Sequence, residues 1–293
     1  MHASVCCVID TFPAFLEFWP AVRHESIDAQ VDAWASMHMA HWPELLAKQQ
    51  SDYADEGQDW RRIALERVFP YLDERLPAMS EAHKHLLDVC EPVYAQARDK
   101  LGFDGDVIFV VHVGIGCGAG WATTYRGSPA ILFGLENVAE EGWIQPCVLS
   151  GLVAHEVGHL AHFHWRGQAG LPKDSGPWWR LYTEGLAQRC EHTIHRQDTW
   201  HMAHAVDGWL EWCQAHRGWL AREFLSAVDR KAPVRPFFGS WFELRGWKQT
   251  GYYLGHEVIR HLEKGLALKQ IAMLDDFETA MRGGLEILAR ASG

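Results

Sequence analysis

The sequence predicts an α+β fold, mainly helical with a small central β-sheet. Three observations carry that expectation. Helical periodicity runs through residues 1–101, short β-branched runs cluster between residues 105 and 136, and helical periodicity returns afterwards.

In the N-terminal region, apolar positions recur at helical spacing in DAQVDAWASMHMAHWPELLAKQ, DWRRIALERVFPYLDERL and EAHKHLLDVCEPVYAQARDKL, with prolines as the expected breaks. Residues 1–101 are therefore expected to be a helical N-terminal region, and 102–293 the core. The texture changes at GDVIFVVHVG (Gly105 to Gly114), where a short β-branched run between glycines suits a buried strand. Past the glycine-rich GIGCGAG, the runs WATTY and AILFGLE flank RGSP and read as two strands joined by a turn. A helix from Pro146 to Trp165 follows, then the loop GQAGLPKDSGP and a second helix, WWRLYTEGLAQRCEHTIHR. The rest reads as helical, including TGYYLGHEVIRHLEKG and a last helix near residues 266–290.

Bulk properties narrow the function. A chain of 293 residues, 48% hydrophobic and 22% charged, has the balance of a soluble globular protein with a substantial core. Its formal charge of −11 argues against a nucleic-acid partner, which calls for a basic patch. No apolar run reaches the roughly 18 residues of a membrane span. The opening MHASVCCVIDTFPAFLEFWP lacks a basic start and carries Asp10, Glu17, Pro13 and Pro20, so it is expected to belong to the fold. Seven scattered cysteines with no C-x-x-C pair suit reduced thiols, and hence a cytoplasmic location.

The stretch GLVAHEVGHLAHFHW (Gly151 to Trp165) is the strongest functional signal, with four histidines and one glutamate in an otherwise apolar run. On a helix, His155 and His159 lie about 40° apart around the axis and about 6 Å along it, so both rings reach one ion. Glu156 completes H-E-x-x-H, in which the carboxylate serves as general base toward a metal-activated water. Val157 is expected to face the core, and Gly158 to leave room for a closely packed neighbour. The plainer alternative is a helical protein with surface histidines and no metal.

Neighbouring histidines do not extend the motif. His162 shares the face but lies about 10 Å from His155 along the axis. The longer pattern H-E-x-x-H-x-x-G-x-x-H needs Gly at 162 and His at 165, where this chain has His162 and Trp165. His162 and His164 are expected to support the site or to lie at the surface. In GHEVIRH, His256 and His261 are five apart, which turns the rings about 140° from each other and forbids chelation by one helix.

A catalytic zinc takes three protein ligands and keeps a fourth position open. Glu184, in LYTEGLAQ, is the best third ligand. It shares a stripe with Gln188, Glu191 and His195, opposite Trp178, Trp179, Tyr182, Leu186, Cys190 and Ile194. Taken alone that stripe reads as a solvated face. Gly185, expected to let this helix approach the motif helix, and the uncharged flanks of Glu184 favour a ligand, with Glu191 and His195 as fallbacks.

HEVGH followed by TEGLA, with GYYLGHEVIRHL near the C-terminus, resembles the gluzincin metallopeptidases. More narrowly, it is similar to a bacterial family of predicted zinc-dependent proteases. The resemblance spans about Val107 to Leu262. It implies a thermolysin-like catalytic core with zinc (Zn2+) held by His155, His159 and Glu184, and Glu156 as general base. Better-known gluzincins place Asn before the ligand Glu and Asp four residues after it. Here those positions hold Thr183 and Gln188, a neutral amide that would orient a ligand histidine less strongly.

An oxyanion donor is sought in TGYYLGH, where Tyr252 is preferred over Tyr253 and His256 through the family-like Gly-Tyr, and where Gly251 and Gly255 allow close approach. The resemblance also implies that AILFGLE is a sheet edge that pairs with an extended peptide. The expected function is a zinc-dependent peptidase acting on peptide or protein substrates. The alternative is a non-catalytic zinc-binding or regulatory protein on the same scaffold.

Overall fold

The computed structural model describes residues 6–290 and is mainly helical with one four-stranded mixed sheet. It divides into two compact units: residues up to Pro92 with Asp104–Ser150, and Val93–Phe103 with Gly151 onward.

The first unit holds the sheet. Its strands are β1 (Cys6–Asp10), β2 (Val107–His112), β3 (Trp121–Tyr125) and β4 (Ser128–Gly134), in the order β1-β2-β4-β3. β1 runs parallel to β2 with Cys7 opposite Ile108, and β2 parallel to β4 with Phe109 opposite Ile131. The hairpin partner β3 is antiparallel to β4, with Trp121 opposite Leu132. The three strands read from the β-branched runs form as expected. Two expectations are corrected. CCVID, inside the region read as helical, is an edge strand whose pairing with β2 depends on residues about 100 positions away. The run AILFGLE is not a sheet edge either: β4 is paired on both sides, which leaves its backbone no free groups for a peptide, and the edges are β1 and β3.

Helices α1 (Phe12–Val22), α2 (Ile27–Ala33), α3 (Pro43–Asp55), α4 (Trp60–Ile63), α5 (Leu72–Leu101) and α6 (Leu135–Glu140) accompany the sheet in sequence. A π-turn and a 3-10 turn follow α2, ending before Pro43, and the same pair follows α4. Prolines break less than expected. Pro70 lies in one of these 3-10 turns, whereas Pro20 is accommodated inside α1, and Pro77 and Pro92 inside α5. Phe12, Phe15, Trp19, Trp34, Phe69 and Leu86 are buried in this unit. The glycine-rich loop after β2 folds onto Glu136. That buried carboxylate accepts hydrogen bonds from the Gly114 and Gly116 amides at 2.8 and 3.1 Å. A Cβ at Gly114 would stand 2.4 Å from Gln49 Oε1, so the close approach requires glycine.

The second unit takes most of α7 (Pro146–Gln168), then α8 (Gly176–His195), α9 (Trp209–Ala215), α10 (Arg217–Asp229), α11 (Thr250–Leu262), α12 (Leu268–Ala272) and α13 (Phe277–Arg290). The final helix expected over 266–290 is interrupted between Ala272 and Phe277. The central helices pack through glycines. Gly158 on α7 faces α8, where an added Cβ would meet the Cys190 Cβ at 2.6 Å. Gly185 on α8 faces α11, where an added Cβ would lie 2.4 Å from the Gly255 carbonyl carbon. Gly158 therefore does what the sequence suggested, while Gly185 serves a different neighbour from the one expected. Among the described residues, no helix is long and apolar enough to cross a membrane, and none of the seven cysteines is paired with another.

Candidate metal centre

The motif lies inside α7, a 23-residue helix with no proline after its first position. His155, Glu156 and His159 are all buried there, at 1%, 7% and 9% exposure. Ligating atoms of the three lie within 4.8 Å of one another. The imidazole rings stand 4.9 Å apart at their centroids, nearly edge to face.

Glu184 arrives from α8. Its Oε2 accepts a hydrogen bond from His155 Nε2 at 3.2 Å and stands 3.3 Å from His159 Nε2. Zinc–nitrogen and zinc–oxygen bonds of about 2.05 Å at tetrahedral angles separate neighbouring ligand atoms by about 3.3 Å. The carboxylate thus sits where a shared cation would want it, and two imidazoles with one carboxylate form a suitable donor set for zinc. Both Nδ1 atoms are buried without a hydrogen-bond partner, and both rings meet Glu184 through Nε2. The residues present fit the ion.

Electrostatics agree with that reading. Burial opposes charge on Glu184, but the His159 charge and the hydrogen bonds from both rings outweigh it and hold the carboxyl well below its usual range. Burial lowers the His155 pKa. At His159 burial acts in the same direction, yet the Glu184 carboxylate prevails and raises it. The result is a carboxylate held in its charged form beside one imidazole whose proton affinity is lowered and one whose proton affinity is raised.

Behind His155 lies Glu191, which the sequence suggested as a fallback ligand. Glu191 is fully buried; its Oε2 accepts from His201 Nδ1 at 2.8 Å and lies 3.8 Å from His155 Nδ1. With His155 and His201 it forms a second group of buried side chains close enough to hold one metal ion, on the Nδ1 side of the His155 ring; at 3.8 Å it makes no hydrogen bond to that ring. Gln188, expected to orient a ligand histidine, is turned away: its amide nitrogen bonds the Thr199 carbonyl and contacts His192. Burial pushes the Glu191 carboxyl up to about 7, against the opposing pull of His155. The signal was the stripe itself: Glu184 and Glu191 are seven residues apart, two turns on one face. His201, beyond the helix, carried no signal. Rather than a solvated face, the stripe is largely buried, with Gln188 and Glu191 both at 0% exposure, and its two ends, Glu184 and His195, are partly exposed. Gly151 makes the space, since a Cβ there would meet Glu191 Oε1 at 3.0 Å and His201 Cβ at 3.1 Å.

The three oxyanion candidates separate. Tyr252 is half-buried, with its ring 5.6 Å from that of His155 and 5.9 Å from Phe238. Tyr253 and His256 point elsewhere and line a polar cavity of about 330 Å³ with Trp200, Arg217, Glu257 and Arg260. His256 is held there between Arg189 and Glu257, each at 3.3 Å. Nor does His162 lie at the surface: it is fully buried, its ring packed among Phe163, Trp179 and Tyr182. His164, partly exposed, contacts Gln168 and the edge of Phe103.

No family model matches the chain, and neither a curated protein nor a solved structure shows detectable similarity to it.

Proposed function

We propose that the protein is a zinc-dependent peptidase with a gluzincin-like centre, in which His155, His159 and Glu184 hold the metal and Glu156 is the general base. The observation that carries this reading is the placement of Glu184 Oε2, 3.2 and 3.3 Å from the two motif imidazoles, on a helix separate from theirs. Zinc, when bound, supplies Lewis acidity that makes water nucleophilic near neutral pH and polarises a carbonyl.

The chain's own residues divide the remaining work. Glu156 shares the buried space of the two motif imidazoles, within reach of the position a metal between them would take, and its carboxylate is the group that takes a proton from the attacking water. The same oxygen then returns that proton to the leaving amine. Tyr252, whose ring lies 5.6 Å from that of His155, is the candidate donor to the oxygen that gains charge in the transition state. Glu191, hydrogen-bonded to His201, stands 3.8 Å from His155 Nδ1, where its charge favours a proton on that nitrogen and leaves Nε2 for the metal. The low exposure of the centre excludes bulk water, which strengthens each of these interactions.

The experiment is Glu156→Gln. The variant should bind one equivalent of zinc, measured by elemental analysis after chelation and reloading, and should lose hydrolysis of a mixed peptide library. Undiminished cleavage by the purified variant would refute the mechanism. A wild-type protein that binds no zinc would remove the centre altogether.

A further inference from the structure

We infer that Arg180 is an anchor for a substrate carboxylate, which makes the preferred substrates short peptides engaged through a negatively charged end or side chain. The inference rests on the peptidase reading above and adds the chemical class of substrate to it.

Arg180 lies four residues before Glu184 on α8. One helical turn separates the two, about 6 Å along the axis, so both side chains leave the same face. Arg180 is half-buried, and its guanidinium lies over the Phe238 ring at 4.9 Å. Phe238 packs against Tyr252, and Tyr252 against His155. Arg180 is thus tied to the centre along the helix that delivers Glu184 and through the rings that lead to His155.

Its charge stands in an acidic chain. The protein carries a formal charge of −11, with 38 acidic residues against 27 lysines and arginines. Other arginines of the same unit have polar partners: Arg189 pairs with Glu263 at 2.6 Å, Arg217 with Glu257 at 3.1 Å, and the buried Arg166 donates to the Pro172 and Leu274 carbonyls at 3.2 and 2.8 Å. Among the described residues, Arg180 has no carboxylate partner. The side chain's contact is with the ring, which attracts the charge and leaves the guanidinium's hydrogen-bonding edge for another partner. The stacked ring fixes the plane of the guanidinium, and a planar fork held in place suits a bidentate carboxylate. A second cation borders the centre: the Lys173 ammonium lies 3.9 Å over the Phe163 ring, which itself stacks on His159.

Substrate dimensions agree. The residue after the scissile carbonyl places the next Cα about 3.8 Å on, so a carboxylate one or two residues beyond the cleavage point spans the helical turn between Glu184 and Arg180. Two sources offer that chemistry, a free C-terminus or an acidic side chain.

The test compares four blocked peptides on the zinc-loaded full chain: benzoyl-Gly-Phe, its C-terminal amide, and an amidated pair differing only by Glu or Gln after the cleavage point. Each is assayed with wild type, Arg180→Met and Arg180→Lys. We expect the charged member of one pair to be preferred through KM, and Arg180→Met to erase that preference by roughly 10- to 100-fold, the scale of charge-assisted hydrogen bonds. Arg180→Lys should fall between. Preference for benzoyl-Gly-Phe over its amide assigns the terminal carboxylate, and preference for Glu over Gln assigns the side chain. Equal KM values for wild type and Arg180→Met on all four peptides overturn the inference while leaving the peptidase reading intact. If wild type cleaves none of the four, binding of the same peptides to zinc-loaded Glu156→Gln protein is followed by tryptophan fluorescence. Tighter binding of a charged member that is lost in the Arg180→Met double variant supports the anchor, and indifference to charge overturns it.

Discussion

The crossing of α8 and α11 can be tested with one methyl group. In Gly185→Ala the new Cβ would stand 2.4 Å from the Gly255 carbonyl carbon and 2.5 Å from its oxygen. Ordinary carbon contacts begin near 3.5 Å, so the helices must part by about 1 Å. Both obstructing atoms are backbone, so no rotamer change relieves the clash. Overpacking of this kind costs about 3 kcal/mol, and the better helix propensity of alanine returns about 1 kcal/mol. The net loss of about 2 kcal/mol should lower Tm by roughly 4–8 °C for a chain of this size. The same movement shifts Glu184, the preceding residue, so zinc affinity should weaken roughly 10- to 100-fold, as when a supporting contact of a metal ligand is lost. Gly283→Ala in α13 is the internal control. Nothing lies within 4 Å of its added Cβ, and propensity alone should raise Tm slightly. Thermal melts by circular dichroism, with and without zinc, and chelator competition read both effects. If Gly185→Ala melts at or above the wild-type temperature, the crossing described here is wrong.

Three further outcomes are expected. Tyr252→Phe should leave zinc stoichiometry unchanged and reduce kcat by roughly 10²–10³, the usual loss for one oxyanion donor, and a change below a factor of three would remove that role. Glu191→Gln should weaken zinc binding roughly 10- to 100-fold in a chelator competition, with the variant still folded by circular dichroism; unaltered affinity would relegate Glu191 to packing. Glu257 tests pH dependence: burial opposes its charge, but His256 and Arg260 prevail and bring its carboxyl down to about 2. Its folded pKa lies below the unfolded value, so the stabilisation is present above pH 4.5 and lost as pH falls toward 2. Denaturation at pH 7 and pH 3 should therefore show a wild-type loss exceeding that of Glu257→Gln by on the order of 1–3 kcal/mol, after allowance for the exposed arginine partners. Equal losses would contradict the pairing.

Local chemistry was the part that showed in the sequence. His155 and His159 are related by helix geometry alone, so their spacing predicts their convergence. The strands Val107–His112, Trp121–Tyr125 and Ser128–Gly134 were legible because β-branched runs between glycines leave few alternatives. Glu184 was reachable through its uncharged flanks, although its approach to His155 depends on how two helices cross. What escaped depended on distant partners. CCVID becomes a strand because Val107–Val111 lies beside it, a pairing that leaves no periodicity to read. His201 meets Glu191 across the end of α8, and a lone histidine in a connecting segment announces nothing. Pro77 and Pro92 looked like breaks because a local rule was applied where a 30-residue helix absorbs the lost hydrogen bonds.

The glycine-rich segment after β2 has the composition of a phosphate cradle, with inward-turned amides and little side-chain bulk. In this chain that hollow is filled from within. The Glu136 carboxylate already holds two of the amides, and Asn137 takes a third from Gly118. A nucleotide would have to evict a buried anion before reaching the main chain, so a search for cofactors by glycine pattern would be drawn here to a lock whose key is built in.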